Sequence, residues 1–190
     1  MIHQLIKEQT CEEHKAIESL VDFKLITSSS VAYKKFLTNL LGFYLPVEPH
    51  FDFFEEEFTR MDLNLKGIKK TAWLKDDLRY LDVNEYELTH IPQCSQIPSM
   101  KSISEVLGVL YVLEGSNLGG QLIYQHIKFL DADKDKSLLK FHFGYGKETG
   151  LRWRYFLNIL ESNKDLDVQV VVQSAKDTFV KLREWFEKNG

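Results

Sequence analysis

The stretch Leu107-Gly-Val-Leu-Tyr-Val-Leu-Glu-Gly-Ser-Asn-Leu-Gly-Gly-Gln-Leu-Ile-Tyr124 constrains the fold more than any other part of the chain. Leu107, Leu110, Tyr111, Leu118 and Leu122 recur at helical spacing, so the stretch reads as a long apolar helix. It also holds Gly108, Gly115, Gly119 and Gly120, four of the ten glycines in the sequence. A glycine inside a helix costs about 1 kcal/mol relative to alanine, so four in one helix need a cause. Gly115 and Gly119 stand one turn apart on a shared face, and Gly108 lies two turns before Gly115 on that face. Glycine and serine clusters are also frequent points of helix bending. Two readings stay open. The stripe either packs closely against another helix or forms a bare wall for a large flat ligand. A phosphate loop fails, because no lysine follows the glycines and no strand precedes them.

The chain around this helix has 190 residues, enough for one domain (1–190) with a substantial core. A formal net charge of −4 gives no electrostatic case for nucleic acid as a partner. No apolar run reads as a membrane span, and the N-terminus carries no signal-peptide pattern. Cys11 and Cys94 are the only cysteines, which excludes a disulfide scaffold and fits a reducing compartment. A cytoplasmic, soluble domain with no membrane partner is expected.

Helical periodicities separated by short polar breaks dominate. A first helix is expected over roughly Ile2–Leu20, then a polar turn through Thr27-Ser-Ser-Ser30 whose last serine caps the next helix. A second apolar segment runs from Val31 to about Met61, bent or split by Pro46 and Pro49. A short helix near Ile68–Leu81, a loop with Pro92 and Pro98, and the glycine-bearing helix over roughly Ser102–Leu130 come next. A charged break at Asp131–Lys136 and a Gly144-Tyr-Gly146 turn lead to helices near Lys147–Leu160 and Val168–Lys188. The last carries a stripe of Val171, Ala175, Phe179, Leu182 and Phe186. Its β-branched start, Val168-Gln-Val-Val-Val172, has no partner strand to pair with. The fold class is therefore all-α, a single-domain helical bundle.

His14 is the second informative position. On a helical wheel it falls beside Thr10, Ile17 and Val21, at the margin of the apolar face. Glu18 lies one turn further on the same side, within reach of the imidazole. A metal-ligating histidine usually donates its second ring N–H to such a partner. The plainer reading is a half-buried histidine in a helical salt bridge, and spacing alone does not choose. Among the others, His3 is near a terminus, His50 follows Pro49, His126 lies beyond the glycines and His142 sits in an expected loop. His90 forms the one Glu-x-x-His, Glu87-Leu-Thr-His90, whereas a bundle di-iron site uses two. The cysteines lack zinc spacing and no nucleophile elbow is present. Glu55-Glu-Glu57 reads as a solvated helix face.

Thr10-x-x-x-His14-x-x-x-Glu18, followed by Leu113-Glu-Gly-Ser-Asn-Leu-Gly-Gly-Gln121, resembles the haem oxygenases, in particular the bacterial biliverdin-producing type associated with bacteriophytochromes. Phe43-Tyr-Leu-Pro46 with Glu48, Trp73-Leu-x-x-Asp-Leu78, Trp153-Arg-x-Phe156 and Ala175-x-x-Thr-Phe179 leading to Trp185 extend the likeness along nearly the whole chain. The resemblance implies haem between a proximal N-terminal helix and a glycine-kinked distal helix. It makes His14 the axial ligand of haem iron, Glu18 its orienting partner, and Gly115 and Gly119 the distal glycines. Lys7 and Arg154 match basic residues that approach the haem propionates, with Tyr111 a weaker candidate at that edge. Relatives often carry an aspartate just after the first distal glycine. Here the position is Ser116, so the distal hydrogen-bond network must differ, which bears on turnover and on where the ring opens.

The function so implied is oxidative cleavage of haem to biliverdin with release of carbon monoxide and iron. Haem is then both cofactor and substrate, and molecular oxygen the co-substrate. The chain shows no nucleotide or flavin fingerprint, so electrons are expected from an external donor such as ferredoxin or a flavoprotein reductase, and a bilin-accepting phytochrome is a candidate recipient. Two alternatives are a haem carrier or sensor that never turns haem over, and a metal-dependent oxygenase on the same fold.

Overall fold

A computed structural model describes residues 1–129 and 135–189, and every regular element among them is helical. The chain opens with α1 (Ile2–Gln9) and α2 (Cys11–Leu20), two helices where the periodicity predicts one. Thr10 breaks them apart, at φ −113° and ψ 7°, with its hydroxyl turned back onto the Ile6 carbonyl at 2.8 Å. Threonine readily makes such local bonds, which compete with helix continuation. The expected polar turn narrows to Ser29, which is extended between α3 (Phe23–Ser28) and the next helix and caps that helix in place of Ser30. That helix, α4 (Ser30–Val47), continues through Pro46. The break comes at Glu48–Phe54, a 3-10 segment with Pro49 at its start, followed by α5 (Glu55–Arg60).

Next come α6 (Leu65–Ile68), α7 (Thr71–Tyr80) and α8 (Glu85–Thr89). The glycine-bearing helix is α9 (Ile103–His126), opened by a capping box between Ser102 and Glu105. Leu130, its expected end, and most of the expected charged break lie outside the described residues. After α10 (Lys140–Phe143), Gly144 and Gly146 take φ +56° and +57°, left-handed values suited to glycine, as the expected turn requires. The chain closes with α11 (Thr149–Ser162) and α12 (Val168–Asn189). The β-branched start of α12 is helical, its Val171 and Val172 buried against the core.

α9 runs through the middle of the bundle with α12 packed along it. Length and composition alone would let α9 cross a membrane, contrary to the expectation from the sequence, but 56% of its most apolar window is buried inside the protein. α1 and α2 lie on α12, and Lys176 of α12 pairs with Glu13 of α2 at 3.2 Å. α4 packs on α7 and α12, and α10 fills the space between α7 and α9. This leaves α2 and the second half of α9 as facing walls of a cleft.

Candidate functional site

Two adjoining cavities, of about 620 and 340 Å³, open between α2 and α9. Both are lined by His14, Ile17, Glu18, Leu40, Gly115, Ser116 and Leu182, so they are lobes of one cleft. The larger lobe reaches His3, Lys7, Tyr111 and Trp153, and the smaller reaches Gly119, Phe36 and His142. The lining is chiefly apolar, which favours a large flat ligand with few polar edges.

The glycine stripe divides by function. A Cβ on Gly108 would stand 2.4 Å from the Val171 carbonyl oxygen, so this glycine exists to let α9 and α12 touch. Gly120 is similar, since a Cβ there would meet the His142 ring at 3.1 Å. Gly115 has only the Trp153 edge at 3.4 Å, an ordinary contact. A Cβ on Gly119 would meet nothing within 4 Å and would project into the cleft. Both readings of the stripe therefore hold, at different positions.

On the opposite wall, His14 places Nδ1 3.4 Å from a Glu18 carboxylate oxygen, and its ring stands edge-on to Phe179 at 5.5 Å. Both side chains of the pair are more than half exposed, so it adds little stability and its effect is on ring orientation. Lys7 also lines the cleft. Tyr111 is buried, its phenol 2.9 Å from His3 Nδ1, and burial pushes its pKa up to about 12. Ser116 donates to the Leu113 carbonyl at 2.7 Å and also meets the phenol of buried Tyr44, which burial holds well above the ordinary tyrosine range.

Arg154 is not brought to this cleft. It is exposed on α11 and lines a separate groove with Leu151, Tyr155, Leu157 and Asn158, whereas its neighbour Trp153 faces the cleft. One residue on a helix is about a 100° turn, and the helix is seated on the Trp153 side. Sequence reasoning misses His3, although its i, i+4 spacing to Lys7 places both on one face. It misses Tyr44 and Lys15 as cleft-lining groups as well.

His126 lies off the cleft, its ring bonded to the Leu122 carbonyl and edge-on to Phe23. His142 is the buried imidazole of the smaller lobe, held by the Tyr33 hydroxyl at 2.7 Å and stacked on Phe36. Burial pushes its pKa down to about 3, so it is neutral. Glu87 is used in a capping box with Asn84, while His90 turns back to the Tyr86 carbonyl. Among the described residues no three His, Cys, Asp or Glu side chains gather as a metal cluster.

Residues 1–188 match the family model described as Heme oxygenase. Two solved structures share the fold. The NO- and CO-bound heme oxygenase from Neisseria meningitidis is 20% identical with a TM-score of 0.74, over 98% of this chain and 92% of that one. The heme oxygenase from Leptospira interrogans is 17% identical with a TM-score of 0.75, over 98% of each chain. No curated protein matches the sequence.

Proposed function

The chain belongs to the haem oxygenase family, enzymes of haem degradation, and from that premise we propose that the cleft between α2 and α9 is the haem site and that His14 would hold the haem iron. The observation that carries this is the pairing of opposite walls. An imidazole backed by a carboxylate stands on one side, and bare backbone at Gly119 stands on the other. The residues present fit a flat macrocycle, because a side chain at 119 would occupy the space such a ring needs.

Bound haem supplies the iron that activates molecular oxygen and the porphyrin that is opened, giving biliverdin, carbon monoxide and iron. The chain's own groups bind and orient. The Glu18 carboxylate, 3.4 Å from His14 Nδ1, would favour the ring proton on that nitrogen and leave Nε2 as the nitrogen for iron. Lys7, with His3 and Tyr111, offers polar partners for the propionate edge. Leu40, Phe179 and Leu182 keep water from the middle of the cleft. Ser116 and Tyr44 place hydroxyls on the distal side, where the sequence has no carboxylate. Electrons come from a separate donor of the ferredoxin or flavoprotein reductase kind, and a bilin-accepting phytochrome is the proposed recipient of the product.

Hemin titration followed by absorption tests the assignment. His14→Ala is expected to lose the histidine-ligated spectrum and most turnover, with added imidazole restoring part of both. A variant with wild-type spectrum and turnover would pass the ligand role to another cleft imidazole, His3 or His142.

A further inference from the structure

Behind the distal wall, on the face of α9 turned away from the cleft, lies a charged cluster that haem binding does not use. The Lys70 side chain is completely buried and its ammonium pairs with Glu114, the residue immediately before Gly115. The same ammonium reaches the Tyr145 hydroxyl at 3.2 Å and the Ile68 carbonyl at 3.4 Å, so each of its three N–H groups has an acceptor. The Tyr145 phenol oxygen stands 3.1 and 3.3 Å from the Glu114 carboxylate oxygens and 2.5 Å from the Gly67 carbonyl. One turn of α9 is thus joined through side chains to the segment before α7 and to the turn before α11.

That turn needs an anchor. Gly115 and Gly119 weaken it, and Ser116 and Asn117 turn their side chains onto the carbonyls of Leu113 and Glu114 at 2.7 and 2.9 Å. On the cleft side a Cβ at Gly115 would meet the Trp153 edge first, and one at Gly119 would meet nothing within 4 Å. A buried ion pair is a poor way to gain stability, since apolar residues of similar volume do as well or better. Its distinctive property is fixed geometry.

We propose that Lys70, Glu114 and Tyr145 are positioning residues, a buried tether that fixes the height of the 115–119 backbone over the cleft. The link to catalysis rests on the cleft being the haem site, whereas the mechanical claim does not.

The test uses Glu114→Gln, Tyr145→Phe and the double variant Lys70→Met/Glu114→Leu. Amide hydrogen exchange at residues 115–120 of the haem-free protein is expected to quicken about tenfold in Glu114→Gln and in the double variant, with other α9 amides unchanged. The double variant should melt near wild type, because its apolar pair refills the space. In the hemin complexes the C–O stretch of added carbon monoxide should broaden or split. With hemin affinity held within about threefold, kcat should fall about tenfold, since displaced catalytic groups cost rate before binding. Tyr145→Phe removes one hydroxyl only and should show a smaller exchange change in the same direction, which keeps the test decisive if the charge variants fail to fold. Wild-type exchange at 115–120 in the folded variants overturns the tether. Quickened exchange with an unchanged C–O band and kcat overturns its part in positioning. A wild-type protein that binds no hemin overturns the cleft reading instead, and the exchange result still decides the tether.

Discussion

At the scale of single residues, identical side chains at 108 and 119 do opposite work. Gly108 touches α12 so closely that a Cβ would meet backbone at 2.4 Å, while Gly119 looks onto open cleft. Gly119→Ala should therefore stabilise the haem-free protein by up to about 1 kcal/mol of helix propensity and raise its melting temperature, yet weaken hemin binding. Gly108→Ala should do the reverse, losing about 1–3 kcal/mol to overpacking while the folded fraction keeps its hemin affinity. Thermal melts and hemin titrations of the two variants check both. A sequence shows that both positions are glycine and share a face, and nothing in it says which neighbour stands opposite. The same limit explains Arg154. Helical spacing fixes a residue's angle on its own helix, but the seating of that helix on its neighbours decides which angle faces the cleft. His14 and Glu18 were legible because their relation is internal to one helix.

Among elements, the short helix α10 depends on a distant carboxylate. Asp77 of α7, completely buried, accepts the Lys140 and Phe141 amides at 2.6 and 2.9 Å, capping the first turn of a helix 63 and 64 residues away. Burial pushes its pKa from the ordinary value of 3.8 up to about 7, against the pull of those two amides. A carboxyl raised on folding favours the folded state fully below its unfolded value, and that contribution is lost as pH rises through the folded value. Chemical denaturation from pH 4 to 8 should thus show wild type losing ground to Asp77→Asn, which cannot ionise and keeps a carbonyl oxygen for one of the two amides. Equal slopes for the two proteins would contradict the buried carboxyl's shift. Glu48 does a similar service for α7, accepting the Lys70 and Thr71 amides at 2.5 and 3.1 Å. Helices with their own capping signals, such as α9, were readable in place. Those capped across long separations were not, and neither was the Thr10 break, which depends on one hydroxyl's choice of partner.

For the whole molecule, the cleft is a joint product of α1, α2, α3, α4, α9, α10, α11 and α12, so a ligand there braces both ends of the chain against its middle. Hemin at about a hundred times its dissociation constant should add about 2.7 kcal/mol to folding. For a chain of this size that raises the melting temperature by roughly 5–10 °C. Calorimetry with and without hemin measures it, and no rise would mean that the ligand does not select the folded state. The all-α class was legible in the long periodic stripes, whereas the facing of α2 and α9 was implied only by the resemblance to the haem oxygenases. Chain order adds a matter of timing. The His14 wall is made first, but it leans on α12, which begins about 150 residues later. At ribosomal speed that is a wait of roughly ten to thirty seconds. Throughout it the first helices have no C-terminal helix to lie on, so the cleft takes its full set of walls only when the chain is nearly finished.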